Sequence, residues 1–122
     1  MTKYDFDDSA WESAKNEVRK ILIQRAKLRG MIPYSELVSQ IKAIHIEAHD
    51  QRLFDLLGEI STDEHAEGRG MLTVIVVHKR GDMQPGPGFF DLAKRLGKDT
   101  SDILGCWIKE LKVVHAHWSN EN

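Results

Sequence analysis

The residues of this chain that could do chemistry fall into separate groups, and each group has a bland alternative. His45, Glu47 and His49 form an H-x-E-x-H pattern. On an extended strand the three side chains project to one face and offer two imidazoles and a carboxylate, a donor set suited to zinc or another transition metal. The spacing differs from that of the helical H-E-x-x-H site, where the histidines are four apart on one helix face. The alternative is the wet face of a strand, so no metal is assigned and these three stand as the candidate ligands.

Asp63, Glu64 and His65, followed by Arg69 and then by His78, Lys79 and Asp82, place acid, base and cation near both ends of the apolar run 71–77. A metal-independent nuclease or phosphodiesterase would use Glu64 as base, His65 or His78 as acid, and Arg69 or Lys79 against phosphoryl charge. A metal nuclease would instead need carboxylates converging on a cation near a lysine. Neither arrangement has a diagnostic spacing. The alternative makes Ser61 and Glu64 a capping box and Lys79 part of a solvated loop. The chain is therefore expected not to be an enzyme, with Glu64, His65, Arg69 and His78 as its catalytic candidates.

His115 and His117 are two apart near the end of a helical pattern and do not share a face. The turn GDMQPGPG is rich in glycine but lacks the spacing of either phosphate-binding glycine loop, and no G-x-S-x-G is present. No cofactor is expected. Cys106 is the single cysteine, and its neighbours Leu104, Trp107 and Ile108 suggest a buried thiol in a reducing cytoplasm.

The net charge of −2 conceals an uneven distribution. Lys15, Arg19, Lys20, Arg25, Lys27 and Arg29 face only Glu17 within 15–29, whereas 47–67 is acidic against Arg52 alone. Opposed segments of this kind imply an internal electrostatic match, a head-to-tail self-contact, or a basic face offered to a polyanion.

The elements that must position these groups follow from periodicity. At 122 residues, 41% hydrophobic and 30% charged, the chain is expected to be one soluble globular domain, 1–122. Its longest apolar run is about a third of a bilayer span, and MTKYDFDDSAW has acids where a signal peptide is basic and apolar. Neither a membrane nor export is expected. Ser9 caps a first helix of roughly 18 residues, with Trp11, Ala14, Val18, Ile21, Leu22 and Leu28 on its apolar side and Gly30 as its left-handed stop. A shorter helix starts at Pro33 or Ser35, a short strand holds Ile44 and Ile46, and Asp50 caps a third helix that reaches Ile60. A further turn runs from Ser61 to Gly68. Met71 to Lys79 reads as a buried central strand, Arg80 to Gly88 as an exposed turn, and Phe89–Phe90 as the returning strand. Asp91 to Leu96 is a short helix ending at Gly97, and Ser101 caps a last helix with a wide apolar stripe.

That order of elements, with GMIPYSELVSQI as the passage from first to second helix and His78 to Gly88 as a wing, resembles a winged helix-turn-helix domain. The resemblance covers residues 9–90, with 91–122 as a helical extension, and implies an α+β fold. Separately, GRGMLTVIVVHKRGDMQPGPGFFDLAKRLG is similar to a group of small uncharacterised bacterial proteins. A winged-helix resemblance implies a DNA-binding module. The third helix carries Asp50, Asp55 and Glu59, however, so phosphate contact would fall to the first helix and the wing, at Lys15, Arg19, Lys79 and Arg80. The alternative expectation is a protein-interaction or regulatory subunit that forms homo-oligomers through the carboxy-terminal helix.

Overall fold

Apolar residues at steps of three and four make α1, Asp8–Lys27, which buries Trp11, Ala14, Val18, Leu22 and Ala26 along one side. The computed structural model describes residues 2–3 as backbone and residues 6–78 and 85–119 with their side chains. A short antiparallel pair, β1 (Thr2–Lys3) and β2 (Phe6–Asp7), leads into α1. The helix starts just before the expected cap: Asp7 occupies the N-cap position, and the Ser9 hydroxyl donates to the Asp7 carboxylate.

The stop of α1 also differs by one residue from expectation. Arg29, not Gly30, takes the left-handed conformation, with φ 55°. The Arg29 and Gly30 N–H groups then donate to Ala26 and Arg25, closing a Schellman turn. Gly30 serves a different need. A Cβ there would lie 2.9 Å from Arg25 Cδ, and Arg25 folds across this turn to the Met31 carbonyl at 2.7 Å and to Glu36.

β3 (Ile32–Pro33) and α2 (Tyr34–Ser39) follow, with Leu37 and Ile41 buried as their pattern predicts. The strand expected at Ile44–Ile46 is not formed. Burial alternates as a strand would have it, with Ile44 and Ile46 inside and His45 and Glu47 outside. Instead of a neighbouring strand, the Glu17 carboxylate on α1 accepts the Lys42 and Ala43 N–H groups, at 3.1 and 2.8 Å. A side chain thus satisfies backbone that a ladder would otherwise satisfy.

α3 (Gln51–Ala66) is capped by Asp50 as expected. Hydrogen bonds from the Arg52 side chain and backbone hold the Asp50 carboxyl down to about 2. The helix runs straight through Ser61, so no second cap exists there. Ser61 is buried, and its hydroxyl meets that of Thr73 at 2.6 Å. Gly68, with φ 77°, ends α3 in a second Schellman turn, in which Gly68 and Arg69 donate to His65 and Glu64.

The apolar run 71–77 lies at the centre, enclosed by α1, α3 and α5, but little of it is strand. Leu72–Ile75 form one 3-10 turn, and only β4 (Val76–Val77) pairs, parallel to β3. Two physical reasons account for the difference. A short apolar run bounded by turns specifies burial without a period. Pro33 in the partner strand has no N–H, which ends the ladder after two residues. The expected wing hairpin is also corrected: this sheet is a parallel pair, and Phe89–Phe90 lie within α4 (Pro87–Arg95), where Pro87 favours a helical first turn. The wing segment 79–84, with Lys79 and Arg80, lies outside the described residues.

Gly97, with φ 89°, closes α4 in a third Schellman turn. α5 (Ile103–Ser119) is capped by Asp102 instead of Ser101, since the Gly105 N–H donates to the Asp102 carboxylate at 3.1 Å. The fold is α+β and mostly helical, with two short two-stranded sheets.

Gly68 and Gly70 give a matched test of how tightly α5 seats on the central run. Both have positive φ, but a Cβ at Gly68 meets open space, whereas one at Gly70 lies 3.0 Å from Val113 and 3.1 Å from Val114. Gly68→Ala should cost about 1 kcal/mol from backbone strain alone. Gly70→Ala should cost about 2–4 kcal/mol, because overpacking adds to that strain. Urea unfolding of the two variants measures the difference.

Candidate functional site

Glu64 is 2% exposed, and burial alone would raise the pKa of its carboxyl. Two arginines reverse that tendency. Arg69 makes a two-pronged contact, Nε and Nη2 donating at 2.8 Å to the two carboxylate oxygens, and Arg19 Nε donates at 3.1 Å. These hydrogen bonds hold the carboxyl below its usual range. Local structure explains the geometry. The Schellman turn at Gly68 brings Arg69 back over the last turn of α3, and Arg19 reaches across from α1. The Arg19 guanidinium also lies 5.8 Å above the Trp118 ring on α5.

One turn away the same pairing recurs. Lys15 contacts Asp63 at 2.8 Å and Glu59 at 3.4 Å, and Trp11 Nε1 donates to Glu59. Burial opposes the Lys15 charge, but Asp63 and Glu59 outweigh it and the ammonium pKa is raised. Of the three outcomes the charge pattern allowed, the internal match is what Lys15, Arg19, Glu59, Asp63 and Glu64 form. Lys15 and Arg19, expected to meet phosphate, are engaged inside the molecule.

The catalytic candidates divide between places. Glu64 and Arg69 meet in a closed ion pair and His65 is the next residue on α3, but His78 stands elsewhere. It lies against Tyr34, ring centroids 5.2 Å apart, and no hydrogen bond or ion pair joins it to Glu64 or Arg69 among the described residues. His78 is therefore not brought together with Glu64 and Arg69. His45 and Glu47 touch at 3.0 Å on open surface, and among the described residues no three His, Cys, Asp or Glu side chains gather to hold a metal. Cys106 is buried, and burial followed by the nearby Glu110 pushes its thiol pKa up, away from a nucleophile's range.

A second buried carboxylate repeats the Glu64 arrangement. Glu110 on α5 accepts the Met71 N–H at 2.7 Å and meets Lys98 at 3.0 Å. Lys98, like Arg69, is the residue after the left-handed glycine of a Schellman turn. Periodicity did not reveal Glu110, because a single acid in an apolar stripe has no partner visible nearby in sequence.

A cleft of about 750 Å³ lies between α3 and α4. Phe54, Leu57 and Gly58 of α3 face Phe89 and Leu92 of α4, and Tyr34 closes one end beside His78 and Gly86. The Tyr34 phenol accepts the Gly86 N–H at 3.0 Å, and burial raises the phenol pKa. Phe54 meets Tyr34 edge to face, with centroids 5.7 Å apart. The charged lining includes Asp55, Asp91 and Arg95 as well as the Lys15 cluster. Sequence reasoning missed this site, because its aromatic residues come from three elements and follow no common spacing.

Two exposed surfaces complete the inventory. Lys20, Gln24 and Lys27 line a shallow groove of about 660 Å³ on the outer side of α1, next to Leu28, which is 80% exposed. On α5, Ile103 and Leu104 are each 50% exposed, Val113 43% and Ile108 39%; Leu104 and Ile108, one turn apart, share one edge of the buried face, whereas Val113 lies on the other edge beside Gly70. No helix of the described residues is long and apolar enough to cross a membrane. No protein-family model, curated protein or solved structure matches the chain.

Glu64→Gln should destabilise the fold by about 1–3 kcal/mol at pH 7: breaking a buried pair is costly, but both arginines keep some solvent contact. Because the native carboxyl is lowered, its contribution is complete above the ordinary carboxylate value of about 4.3 and is lost as pH falls through the native value. The difference between wild type and variant should therefore shrink below about pH 4. Urea unfolding at several pH values checks both the size and the sign.

Proposed function

We propose that the chain is a non-catalytic binding module of winged-helix type whose main working surface is the edge of α5 that carries Leu104 and Ile108, where two copies pair. The observation that carries this reading is the exposure of Leu104 and Ile108, one turn apart on that edge, with the exposed Ile103 just before them. Such an apolar patch marks a contact surface. A second copy suits it by charge. Antiparallel pairing brings Asp102, at the start of one helix, toward Lys109 and Lys112 of the other, and it opposes the two helix dipoles. The order of α1, α2 and α3 supports the winged-helix type, while the sheet beside them is a parallel pair instead of a hairpin; the separation of His78 from Glu64 and Arg69 supports a binding role over a nuclease. Equilibrium sedimentation should give twice 13.9 kDa for the wild type. Ile108→Glu, at a solvent-facing position, should give a folded monomer. A wild type that stays at 13.9 kDa at all concentrations would refute pairing.

A second reading is supported by the groove on α1. Lys20 and Lys27 are free of ion pairs among the described residues and offer a small cationic edge for a nucleic-acid backbone. Contact there would carry little sequence information, since phosphate contacts position without reading bases. With two lysines engaged, binding at low salt should fall with a slope of about −2 in log affinity against log salt. Gel shifts of wild type and Lys20→Glu/Lys27→Glu test it, and no shift at micromolar protein would retire it.

A further inference from the structure

The geometry points to the cleft between α3 and α4 as a binding site for a flexible organic cation: an ammonium or guanidinium on an aliphatic stem, as in a polyamine or the side chain of a basic peptide. This site is separate from the α5 face and from the α1 groove, and it stands or falls without them.

Charge and wall chemistry carry the inference. Lys15 is already matched by Asp63 at 2.8 Å and Glu59 at 3.4 Å, so that cluster makes no strong demand on a ligand. Asp55 and Asp91 remain, one on each wall. Among the described residues Asp55 accepts only the Gln51 amide, at 3.3 Å, and Asp91 has no hydrogen-bond or ion-pair partner. Against them stands Arg95. Between the two acids the walls are apolar and aromatic, with Phe54, Tyr34 and Phe89 in the lining. The helices approach closely at Gly58, where a Cβ would come to 3.9 Å from Leu92.

An aliphatic stem fits the apolar wall, and a cationic head gains from both carboxylates and aromatic faces. The volume of about 750 Å³ lies in the usual range for a small-molecule pocket.

The test is titration of the full chain with spermidine and, separately, with a short capped peptide bearing one Lys and one Arg. The titration is run at pH 8 and read by calorimetry and by amide NMR shifts. Binding should move the Gly58, Gly86 and Gly88 amides and weaken with salt. Asp55→Asn and Asp91→Asn should each weaken it about five- to thirty-fold, and Arg95→Gln should tighten it. Both acids are at least partly exposed, so neither variant should unfold, and circular dichroism verifies this. The stronger of the two probes identifies the source of the cation. The inference is overturned if neither probe binds by about 1 mM. It is equally overturned if the shifts lie away from the cleft, or if an uncharged diol of the same length binds as well as spermidine.

Discussion

One buried carboxylate between two arginines holds the helices of this fold in register. Glu64 sits near the end of α3, Arg19 reaches it from α1, and Arg69 returns to it from the turn that follows. An ionised group out of water is tolerable only if paired and hydrogen-bonded, so the position of Glu64 constrains all three segments at once. Arg19 extends the constraint to α5 through the Trp118 ring. The chain leaving Arg69 then enters the centre of the molecule as residues 71–77.

The far side of that central run is secured by the same device. Glu110 of α5 accepts the Met71 N–H, and Lys98 reaches Glu110 from the turn after α4. Trp107 of α5 donates to the Val74 carbonyl at 3.2 Å, and the Ser61 hydroxyl accepts the Thr73 N–H at 3.1 Å. A segment with so short a sheet must find partners for its backbone elsewhere, and these side chains provide them. In both cases a left-handed glycine turns the chain so that the next residue, Arg69 or Lys98, lands on a buried acid.

The acidic side of α3 and the basic side of α1 face each other, so Lys15 and Arg19 support the fold, while Lys20 and Lys27 stay on the surface of α1. Glu64 and Arg69 are the acid and cation a nuclease would want, but each satisfies the other. Groups left without such partners are Asp55 and Asp91 in the cleft and the exposed Leu104 and Ile108 on α5.

The sequence by itself determined where most helices lie and most of the apolar positions they bury, but not that Leu28 would be 80% exposed or Glu110 buried. A period of three to four residues fixes a helix face locally, and capping residues such as Asp50 and Gly68 act through bonds within a few residues. It also showed opposed charge in 15–29 and 47–67, and that the run 71–77 belongs inside. Only the tertiary structure decided the rest. Whether a buried apolar run becomes strand or 3-10 turn depends on whether a partner strand is at hand, and Pro33 limits the one available. Whether Lys15 and Arg19 face solvent or α3 depends on how two helices pack. The cleft likewise gathers Tyr34, Phe54, His78 and Phe89 from segments far apart in the chain. Short-range signals set elements, whereas sites are made by contacts between residues whose separation no local pattern records.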